Sequence, residues 1–383
     1  MKILFIKEKR SHSGIEGIGV YLVRVCKKLN ELKIPYVLIY DAKDQLYERM
    51  LKNNINVKII DLPPKSFKNL ILKRKKVKET RKLISKLIHE EKITHINVHF
   101  PHLIQYIDTN LNIPLIASWH GAFIDNNPIK LFDFKNILNP KKILNEFYRK
   151  KFVFNFDRAK HVIVPSNAAK ETAINKYGIV EEKITINPYG VDQINQKKFR
   201  DIKKELNFNS DDKIVLCAGR ETKDKGVEDF CKVASYFSEK NDIKFLFIGG
   251  YRDKKYHDYL EKKYGKYVHF LGMRSDIYDF YNSSNLFLFL SHRESAGIVL
   301  SEAMLFGLPL VTWNIPGVNE MFKDSVQGRM KKFGDINGII KDVDEILNNE
   351  TLYKKLSSES KKHSNNHLIG ESVHKFLNIL KQF

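Results

Sequence analysis

Short apolar runs alternate with longer polar stretches of helical periodicity along the whole 383-residue chain. The runs are about four to eight residues long and rich in β-branched and aromatic side chains. Continuous runs of this kind are typical of strands that are buried on both faces of a parallel sheet. They lie at residues 2–6, 36–40, 95–100, 115–120, 161–166, 213–220, 244–250, 268–272, 286–291 and 308–313.

The runs fall into two sets, separated by the Pro-, Gly- and polar-rich stretch "NPYGVDQINQKKFR" at 187–200. The chain is also longer than the roughly 250–300 residues at which a single core stops growing. We therefore predict an α/β fold of two Rossmann-like, doubly wound parallel-sheet domains that face each other across a cleft, at 1–190 and 191–365. Ligands of such sheets bind beyond the carboxyl ends of the strands, so the residues that follow each run are the candidates for function.

Composition places the chain among globular proteins, with 43% hydrophobic and 29% charged residues. No apolar run approaches the ~18 residues of a membrane span. At the N-terminus only Ile3–Ile6 are consecutively apolar, which is too short for a signal-peptide core, and a cytosolic protein is expected. Three widely spaced cysteines without a CxxC pair predict buried thiols, with neither structural zinc nor disulfides.

The net charge of +21 is unevenly distributed. Residues 1–190 hold 35 Lys and Arg against 18 Asp and Glu, whereas residues 191–383 hold 31 against 27. Two basic segments, 63–92 with apolar residues at helical spacing and 129–156 with interleaved aromatics, are either solvated surfaces or a surface attracted to anionic lipid headgroups. Zinc-finger, RNP-like and basic-zipper patterns are missing from the sequence, so no nucleic-acid partner is expected.

A glycine-rich turn follows the first run in "SGIEGIGVYLVRVCKKL", residues 13–29. Gly14, Gly17 and Gly19 permit close backbone approach at the start of a helix whose N-terminal amides can face an anion. Their spacing differs from the dinucleotide fingerprint G-x-G-x-x-G. A tight strand-to-helix turn would need glycine for structural reasons alone.

Two cations follow the first run of the second half, in "VLCAGRETKDKGVEDF". Arg220 comes directly after the strand, and Lys225 precedes a helix that is predicted to begin near Val227. Cations beside a helix N-terminus suit a diphosphate. A charged surface loop would have the same composition.

Two glutamates flank an almost uncharged stretch in "SHRESAGIVLSEAMLFG". Glu294 lies in the loop after a predicted strand, and Glu302 lies one to two turns inside a helix closed by Gly307. Buried carboxylates need hydroxyl or cationic partners, which the hydroxyls of ribose and hexose would supply. The amides of three residues at the helix start would face a phosphate: Gly297, Ile298 and Val299.

The spacing E-x7-E in "ESAGIVLSE", and residues 291–320 as a whole, resemble the donor-site signature of retaining glycosyltransferases of the family 4 class (glycosyl transferases group 1), which have the GT-B fold. "AGRETKDKG" resembles the phosphate-clamp segment of that family. "VIVPSNAAKETAINKYGIVEEKITINPYGVD" and "FLGMRSDIYDFYNSSNLFLFLS" resemble two further segments. The resemblance covers nearly all of residues 160–330, and the N-terminal half matches in outline.

This resemblance implies a nucleotide-diphosphate sugar as the donor, most commonly a UDP-sugar, and catalysis without a metal or another cofactor. Glu302 would accept hydrogen bonds from the ribose, Arg220 and Lys225 would hold the diphosphate, and Glu294 would contact the transferred sugar. Met273 would join Gly297, Ile298 and Val299 in the donor-binding set. The final helix, at 366–383, would pack back on the N-terminal domain.

In the first half, the resemblance matches His120, in "ASWHGAF", with a histidine that faces the donor sugar. A core histidine is the alternative for His120, as it is for His99. Gly17 matches the second glycine of a Gly-Gly pair, with Glu16 in the place of the first. Transfer with retention would proceed by front-side displacement, in which the departing phosphate oxygen takes the acceptor proton.

The function predicted from these features is a retaining glycosyltransferase (EC 2.4) that acts on a lipid-linked or surface-glycan acceptor in cell-envelope polysaccharide or lipopolysaccharide biosynthesis. It would work in the cytoplasm, as a peripheral protein on the inner face of the membrane. A same-fold transferase with a small phosphorylated acceptor is one alternative. An inactive polyanion-binding protein is the other.

Overall fold

The computed structural model describes residues 1–9, 17–63, 70–108, 110–121, 156–194 and 198–383, without the side chains of 70–73. Two compact units form within it. Unit 1 holds the described residues up to Pro188 together with Ser372–Phe383, and unit 2 holds Tyr189–Glu371. Gly14, Glu16 and the basic aromatic segment up to residue 155 lie outside the described residues.

Unit 1 is built on a seven-stranded, fully parallel sheet with the strand order β3-β2-β1-β4-β5-β6-β7. Its strands are β1 Ile3–Lys7, β2 Tyr36–Tyr40, β3 Val57–Ile59, β4 His95–Val98, β5 Leu115–Ser118, β6 His161–Val164 and β7 Ile184–Ile186. Its described helices are α1 Gly17–Glu31, α2 Gln45–Lys52, α3 Leu70–Glu90 and α4 Asn167–Tyr177.

Unit 2 repeats this architecture with six parallel strands in the order β10-β9-β8-β11-β12-β13. The strands are β8 Lys213–Ala218, β9 Ile243–Ile248, β10 Val268–Phe270, β11 Leu286–Phe289, β12 Leu310–Trp313 and β13 Gly328–Lys331. The helices are α5 Ile202–Glu205, α6 Val227–Tyr236, α7 Lys254–Tyr264, α8 Ile277–Ser283, α9 Ile298–Leu305, α10 Ile336–Asn348, α11 Glu350–His363 and α12 Ile369–Leu380, the last of which continues into unit 1.

The central strands are buried on both faces, as their continuous apolar runs predict. Every residue of β1, β2, β5, β6, β11 and β12 is buried. Each unit has its own apolar core, with Trp119 buried in unit 1 and Trp313 in unit 2. The predicted class, two Rossmann-like α/β domains with parallel sheets, is confirmed.

The apolar residues at the C-terminal half of helix α3 pack mainly in the core of unit 1. Ile84 and Ile88 are fully buried in the core, and Val77 and Leu87 pack against it, whereas Leu83 is 57% exposed. Apart from Leu83, the apolar side chains described on α3 therefore face the core, and five of its basic residues are exposed: Arg74, Lys75, Lys78, Lys82 and Lys86.

The last helix is held in unit 1 by one serine and one aromatic contact. The Ser372 hydroxyl donates to the Pro188 carbonyl at 2.8 Å and lies 2.9 Å from the Tyr21 hydroxyl. Asn187 donates its side-chain amide to the Ser372 carbonyl at 3.1 Å. Phe376 stacks on Phe5 of β1 with ring centroids 5.8 Å apart.

The three cysteines, Cys26, Cys217 and Cys231, are free and buried. Within the part of the chain that the structure describes, no helix combines the length and apolar composition needed to cross a membrane.

Candidate active site

The carboxyl edge of the unit 2 sheet brings the predicted residues of two neighbouring strands together. Strands β8 and β11 pair directly, and the loops that follow them carry Lys225 and Glu294. The loops are joined by a hydrogen bond from the His292 amide to the Asp224 carbonyl at 2.9 Å. A common position for these side chains thus follows from strand order.

Gly226 makes this close approach possible. Its φ is +64°, and a Cβ at this position would lie 1.8 Å from the Leu290 carbonyl oxygen. Only glycine adopts this conformation beside a backbone atom without displacement. Helix α6 begins at the next residue, Val227, as predicted.

Lys225 and Glu294 form an ion pair. Lys225 Nζ lies 2.7 Å from Glu294 Oε2, and both side chains are 15% exposed. The second carboxylate oxygen, Oε1, accepts a hydrogen bond from the Ser295 amide at 3.0 Å. The two charges compensate each other and fix the Glu294 carboxylate at the edge of the sheet.

The loop at 314–320 packs against the backbone of Glu294 and Ser295. Gly317 has φ +82°, and a Cβ there would lie 2.4 Å from the Glu294 carbonyl oxygen. The contact places "NIPGVNE" against the Glu294 segment.

Glu302 lies on α9 and is only 6% exposed. Its Oε2 accepts a hydrogen bond from the Tyr281 hydroxyl at 3.1 Å. Tyr281, on α8, is fully buried, and its ring stacks on Phe306 with centroids 5.7 Å apart. Tyr281 therefore fixes the direction of the Glu302 carboxylate.

Helix α9 begins after Gly297, which adopts φ 0° and ψ 69°. A Cβ on Gly297 would meet the Leu300 side chain at 2.9 Å. Ile298 and Val299, the first two residues of the helix, are half-buried. The helix start is thus tightly packed, and the structure places Gly297, Ile298 and Val299 on the same loop-helix junction that follows Glu294.

Arg220 is more exposed than Lys225, at 41% of its side chain. Its guanidinium lies 3.8 Å from the Asp224 carboxylate. Burial alone would raise the pKa of Asp224, but a hydrogen bond and the charges of Lys225 and Arg220 lower it below its ordinary value. Both cations therefore act on the same carboxylate, in the loop after β8.

Met273 follows β10 and is 44% exposed. It lies against Gly250, because a Cβ there would be 2.9 Å from Met273 Cγ. Beside it, Tyr251 stacks on the His257 ring at 4.3 Å, and His257 Nδ1 lies 3.0 Å from the Glu221 carboxylate. The carboxyl ends of β9 and β10 thus present an exposed methionine and an exposed tyrosine.

An ion-pair network holds the Met273 loop. Arg274 pairs with Asp276 at 2.7 Å and with Glu205 at 2.9 Å. Arg200 contacts the same two carboxylates and also pairs with Asp279 at 2.9 Å. Because the partners come from α5, α8 and the loop between β10 and α8, the network ties these elements together.

The corresponding edge of unit 1 holds a pair of histidines. His120 follows β5 and is 5% exposed, and His99 follows β4 and is 3% exposed. His99 Nδ1 lies 3.1 Å from His120 Nε2, and the rings are stacked with centroids 5.2 Å apart. Burial, together with the nearby Lys7 cation, lowers the pKa of His99 to about 3.

Further titratable groups lie at the carboxyl ends of β1, β2 and β4. His102 Nε2 lies 2.9 Å from Glu8 Oε2, and Asp41 accepts the Lys9 amide at 2.6 Å. Burial raises the pKa of Asp41 to about 6. Gly17, the first residue of α1, is exposed.

Sequence reasoning did not find Tyr281, Tyr251, His257, Glu221 or the Glu8–His102 pair. Tyr281 is visible only as one aromatic among several in "IYDFYNSSNLFLFLS", and its contact with Glu302 spans 21 positions. In the described residues, no group of three or more His, Cys, Asp and Glu is arranged to hold a metal ion.

The structure thus has two α/β units with parallel sheets, and unit 2 pairs Lys225 with Glu294 at the carboxyl ends of β8 and β11. The family model "Glycosyl transferases group 1" matches residues 198–363, and the model "Glycosyltransferase Family 4" matches residues 15–193. The chain belongs to the group 1 glycosyltransferases with the GT-B fold, as the resemblance predicted.

Similar proteins include enzymes of capsule and lipid-linked glycan assembly. The chain is 26% identical over 270 residues to "Capsular polysaccharide biosynthesis glycosyltransferase CapM" of Staphylococcus aureus, covering 66% of this chain and 70% of that protein. It is 24% identical over 290 residues to the "UDP-Gal:alpha-D-GlcNAc-diphosphoundecaprenol alpha-1,3-galactosyltransferase" of Escherichia coli, covering 72% of each. The solved structure of Anabaena Alr3699/HepE in complex with UDP-glucose has a TM-score of 0.80 at 18% identity, with 100% of both chains covered.

Proposed function

We propose that this glycosyltransferase moves a sugar, with retention at the anomeric carbon, from a UDP-sugar to a lipid-linked or surface-glycan acceptor in cell-envelope polysaccharide or lipopolysaccharide biosynthesis. The observation that carries the proposal is the ion pair of Lys225 and Glu294 at the carboxyl ends of β8 and β11, followed along the chain by the buried Glu302 on α9. The names of the relatives from S. aureus and E. coli support the acceptor class, and the E. coli name supports the donor base.

In this proposal the donor diphosphate lies against Lys225 and Arg220. As the glycosidic bond breaks, negative charge grows on the departing phosphate, and the two cations stabilise it together with the amides of Gly297, Ile298 and Val299. These groups take the place of a metal ion, and the proposal requires neither a metal nor another cofactor. The ribose hydroxyls donate to Glu302, whose direction Tyr281 sets.

Glu294 contacts hydroxyls of the transferred sugar, and His120 takes the sugar-facing role that the family resemblance implies for it. Met273 and Gly17 complete the donor contacts. The acceptor hydroxyl attacks the anomeric carbon directly, and the departing phosphate oxygen takes its proton. No residue of the protein is therefore assigned as a nucleophile. Attack and departure on one face of the sugar give retention.

A transfer assay tests the proposal. Purified protein is incubated with UDP-glucose, UDP-galactose and their N-acetyl forms, in the presence of EDTA, with undecaprenyl-diphosphate-linked GlcNAc or GalNAc as acceptor. We expect one donor to yield an α-linked product by NMR, and Lys225→Ala to remove the activity while Lys223→Ala, in the same loop, keeps it. A β-linked product, a strict metal requirement or equal activity of Lys225→Ala would each overturn part of the mechanism.

We also propose that unit 1 holds the enzyme at an anionic membrane surface. Four exposed basic residues recur every fourth position along α3, so they lie on one face: Arg74, Lys78, Lys82 and Lys86. Each such residue contributes about 1 kcal/mol near anionic lipid. Since the apolar side of α3 packs in the core, this attraction is electrostatic and sensitive to salt.

Flotation with vesicles tests the membrane proposal. Binding to phosphatidylglycerol vesicles is expected at low salt and is expected to be lost at high salt or with phosphatidylcholine alone. Substitution of the four residues by Glu should abolish it. The matched control carries Glu at four exposed lysines of unit 2, namely Lys255, Lys262, Lys266 and Lys332. Equal binding of both variants would contradict a role for α3.

A further inference from the structure

Two arginines of unit 1 donate to the same short turn after β4. The turn is a 3-10 helix at Pro101–Tyr106. Arg81, on α3, donates from Nη2 to the Gln105 carbonyl at 2.8 Å, and Arg158, before β6, donates from Nη2 to the Ile107 carbonyl at 3.2 Å. Residues two positions apart have Cα atoms at most about 7.6 Å from each other. The turn therefore brings together two guanidiniums from distant parts of the chain.

The two positive charges are not compensated by an ion pair. Within the part of the chain that the structure describes, neither guanidinium pairs with a carboxylate, and each makes one hydrogen bond, to its carbonyl. Burial and, next, the Arg81 cation lower the pKa of Arg158 below its ordinary value, against a smaller opposite effect of Asp108. The Asp108 carboxylate accepts the Asn110 amide at 3.1 Å, inside its own turn. The two arginines are thus like charges that oppose each other.

Both guanidiniums keep donors for a further partner. Each carries several N–H groups in a planar fork, and the described bond uses Nη2. Arg81 Nε is buried without a hydrogen-bond partner among the described residues. Both residues are half-buried, so a small anion from solution can reach the part of each side chain that remains at the surface. A phosphate oxygen pair matches the guanidinium fork, and the charge of a phosphate would remove the repulsion between the arginines.

We propose that Arg81 and Arg158 form a binding site for a phosphate group, which is carried either by a membrane lipid or by a soluble compound. The site belongs to unit 1 and shares no residue with the Lys225–Glu294 pair of unit 2. It does not depend on the proposed function. A purely structural role, in which two cations stabilise the last carbonyls of a helix, would need no anion, so experiment separates the two roles.

Calorimetric titration of the full chain with inorganic phosphate, with chloride at equal ionic strength as the reference, tests the site. We expect saturable binding to the wild-type protein and at least about tenfold weaker binding in Arg81→Gln and in Arg158→Gln. The matched control is Arg74→Gln, which removes the same charge from an exposed position of α3. Phosphate that binds elsewhere on the protein contributes to all four titrations alike and does not affect the comparison.

Two results would overturn the proposal. Wild-type phosphate affinity in both Arg81→Gln and Arg158→Gln would place the phosphate elsewhere. An equal loss in Arg74→Gln would show a response to net charge alone. Phosphate should also raise the melting temperature of the wild-type protein and of Arg74→Gln, and leave that of the two other variants unchanged.

A site-resolved measurement covers the case in which a variant does not fold. The side-chain 15N signals of Arg81 and Arg158, assigned from Arg81→Lys and Arg158→Lys, are followed in the wild-type protein as phosphate is added. We expect both signals to shift with one common midpoint. Signals that do not shift to saturation would overturn the proposal.

Vesicle flotation identifies the source of the phosphate. Phosphatidic acid presents a phosphate monoester and phosphatidylglycerol a diester, and the two are compared at equal surface charge and at a salt concentration that screens the attraction of α3. Binding to phosphatidic acid that is lost in the Arg81→Gln/Arg158→Gln variant and kept in Arg74→Gln would assign a lipid phosphate. Equal flotation of these proteins, beside the calorimetric difference, would assign a soluble phosphate compound.

Discussion

Lys225 and Glu294 lie 2.7 Å apart, and both side chains are largely buried. Each neutralises the other's charge at the place predicted to receive a sugar diphosphate. The pair explains how the chain can keep a glutamate at the edge of an apolar stretch. Each charge therefore needs the other, because a largely buried charge without a partner of opposite sign lowers the stability of the fold.

Removal of one member of this pair should therefore cost more than removal of both. Lys225→Met is expected to lower the free energy of unfolding by about 1–3 kcal/mol. The double variant Lys225→Met/Glu294→Gln should recover most of that loss. Urea denaturation measures both, and Lys223→Met, which removes an exposed lysine of the same loop, serves as the control. A double variant no more stable than Lys225→Met would show that the two charges do not depend on each other.

The Tyr281 hydroxyl should matter for nucleotide binding more than for stability. Tyr281→Phe removes the hydrogen bond to Glu302 and keeps the ring stack, so we expect nucleotide affinity to fall roughly fivefold, the equivalent of about 1 kcal/mol. Tyr278→Phe, which removes a hydroxyl from the same helix, should leave the affinity unchanged. Titration calorimetry compares the three proteins. Wild-type affinity in Tyr281→Phe would mean that Glu302 needs no orienting partner.

Two glycines with almost the same φ should respond very differently to alanine. Gly226 has φ +64° with a carbonyl oxygen 1.8 Å from the position of a Cβ, and Gly272 has φ +62° with open space. Gly272→Ala is expected to cost about 1 kcal/mol from backbone strain. Gly226→Ala should cost about 3 kcal/mol or more, because the loops after β8 and β11 must separate. Equal costs in denaturation would contradict the close packing of these loops.

Acid should destabilise the protein through His99. Its pKa is lowered to about 3 in the folded state by burial, whereas an unfolded histidine titrates near 6.5. Between these values the unfolded chain binds the extra proton, so stability rises with pH and is lost as the pH falls below about 6.5. Relative to pH 8, His99→Asn should avoid about 2 kcal/mol of the loss at pH 5. Parallel stability curves for the two proteins would contradict a buried, neutral His99.

The pattern of apolar positions predicted ten of the thirteen strands that lie in the described part of the chain. The three that it missed, β3, β7 and β13, are all edge strands of three or four residues. An edge strand is partly exposed and contains polar residues such as Lys58 and Arg329, so it lacks the continuous apolar run that marks a central strand. Tertiary packing determines the position of these strands at the ends of the two sheets.

The fold class was predictable from the apolar runs, and the family from the motifs in residues 160–330 that resemble it. Because the carboxyl ends of parallel strands meet at one edge of a sheet, the fold brings Lys225 and Glu294 together from positions 69 apart in the chain. The roles of Arg220, Met273, Gly17 and the other predicted site residues stay predictions. Tyr281 and His99 were not assigned because their significance depends on which side chain they touch, and a single sequence does not contain that information.

The apolar residues of α3 also show what a single sequence does not contain. Their helical spacing is equally consistent with a membrane-facing stripe and with a stripe that packs in a core. Burial of Ile84 and Ile88 assigns them to the core of unit 1.

The measurement that tests the central claim most directly is a calorimetric titration of the purified protein with UDP, GDP, ADP and their common sugar conjugates, beside Glu302→Ala and Glu302→Gln. We predict that uridine nucleotides bind, and that both variants stay folded and bind at least about tenfold more weakly. Tighter binding of a guanine or adenine nucleotide, lost in the variants, would correct the donor base and keep the site. Wild-type affinity in the Glu302 variants, or no binding of any nucleotide to the folded protein, would contradict the assignment of this edge of unit 2 as the donor site.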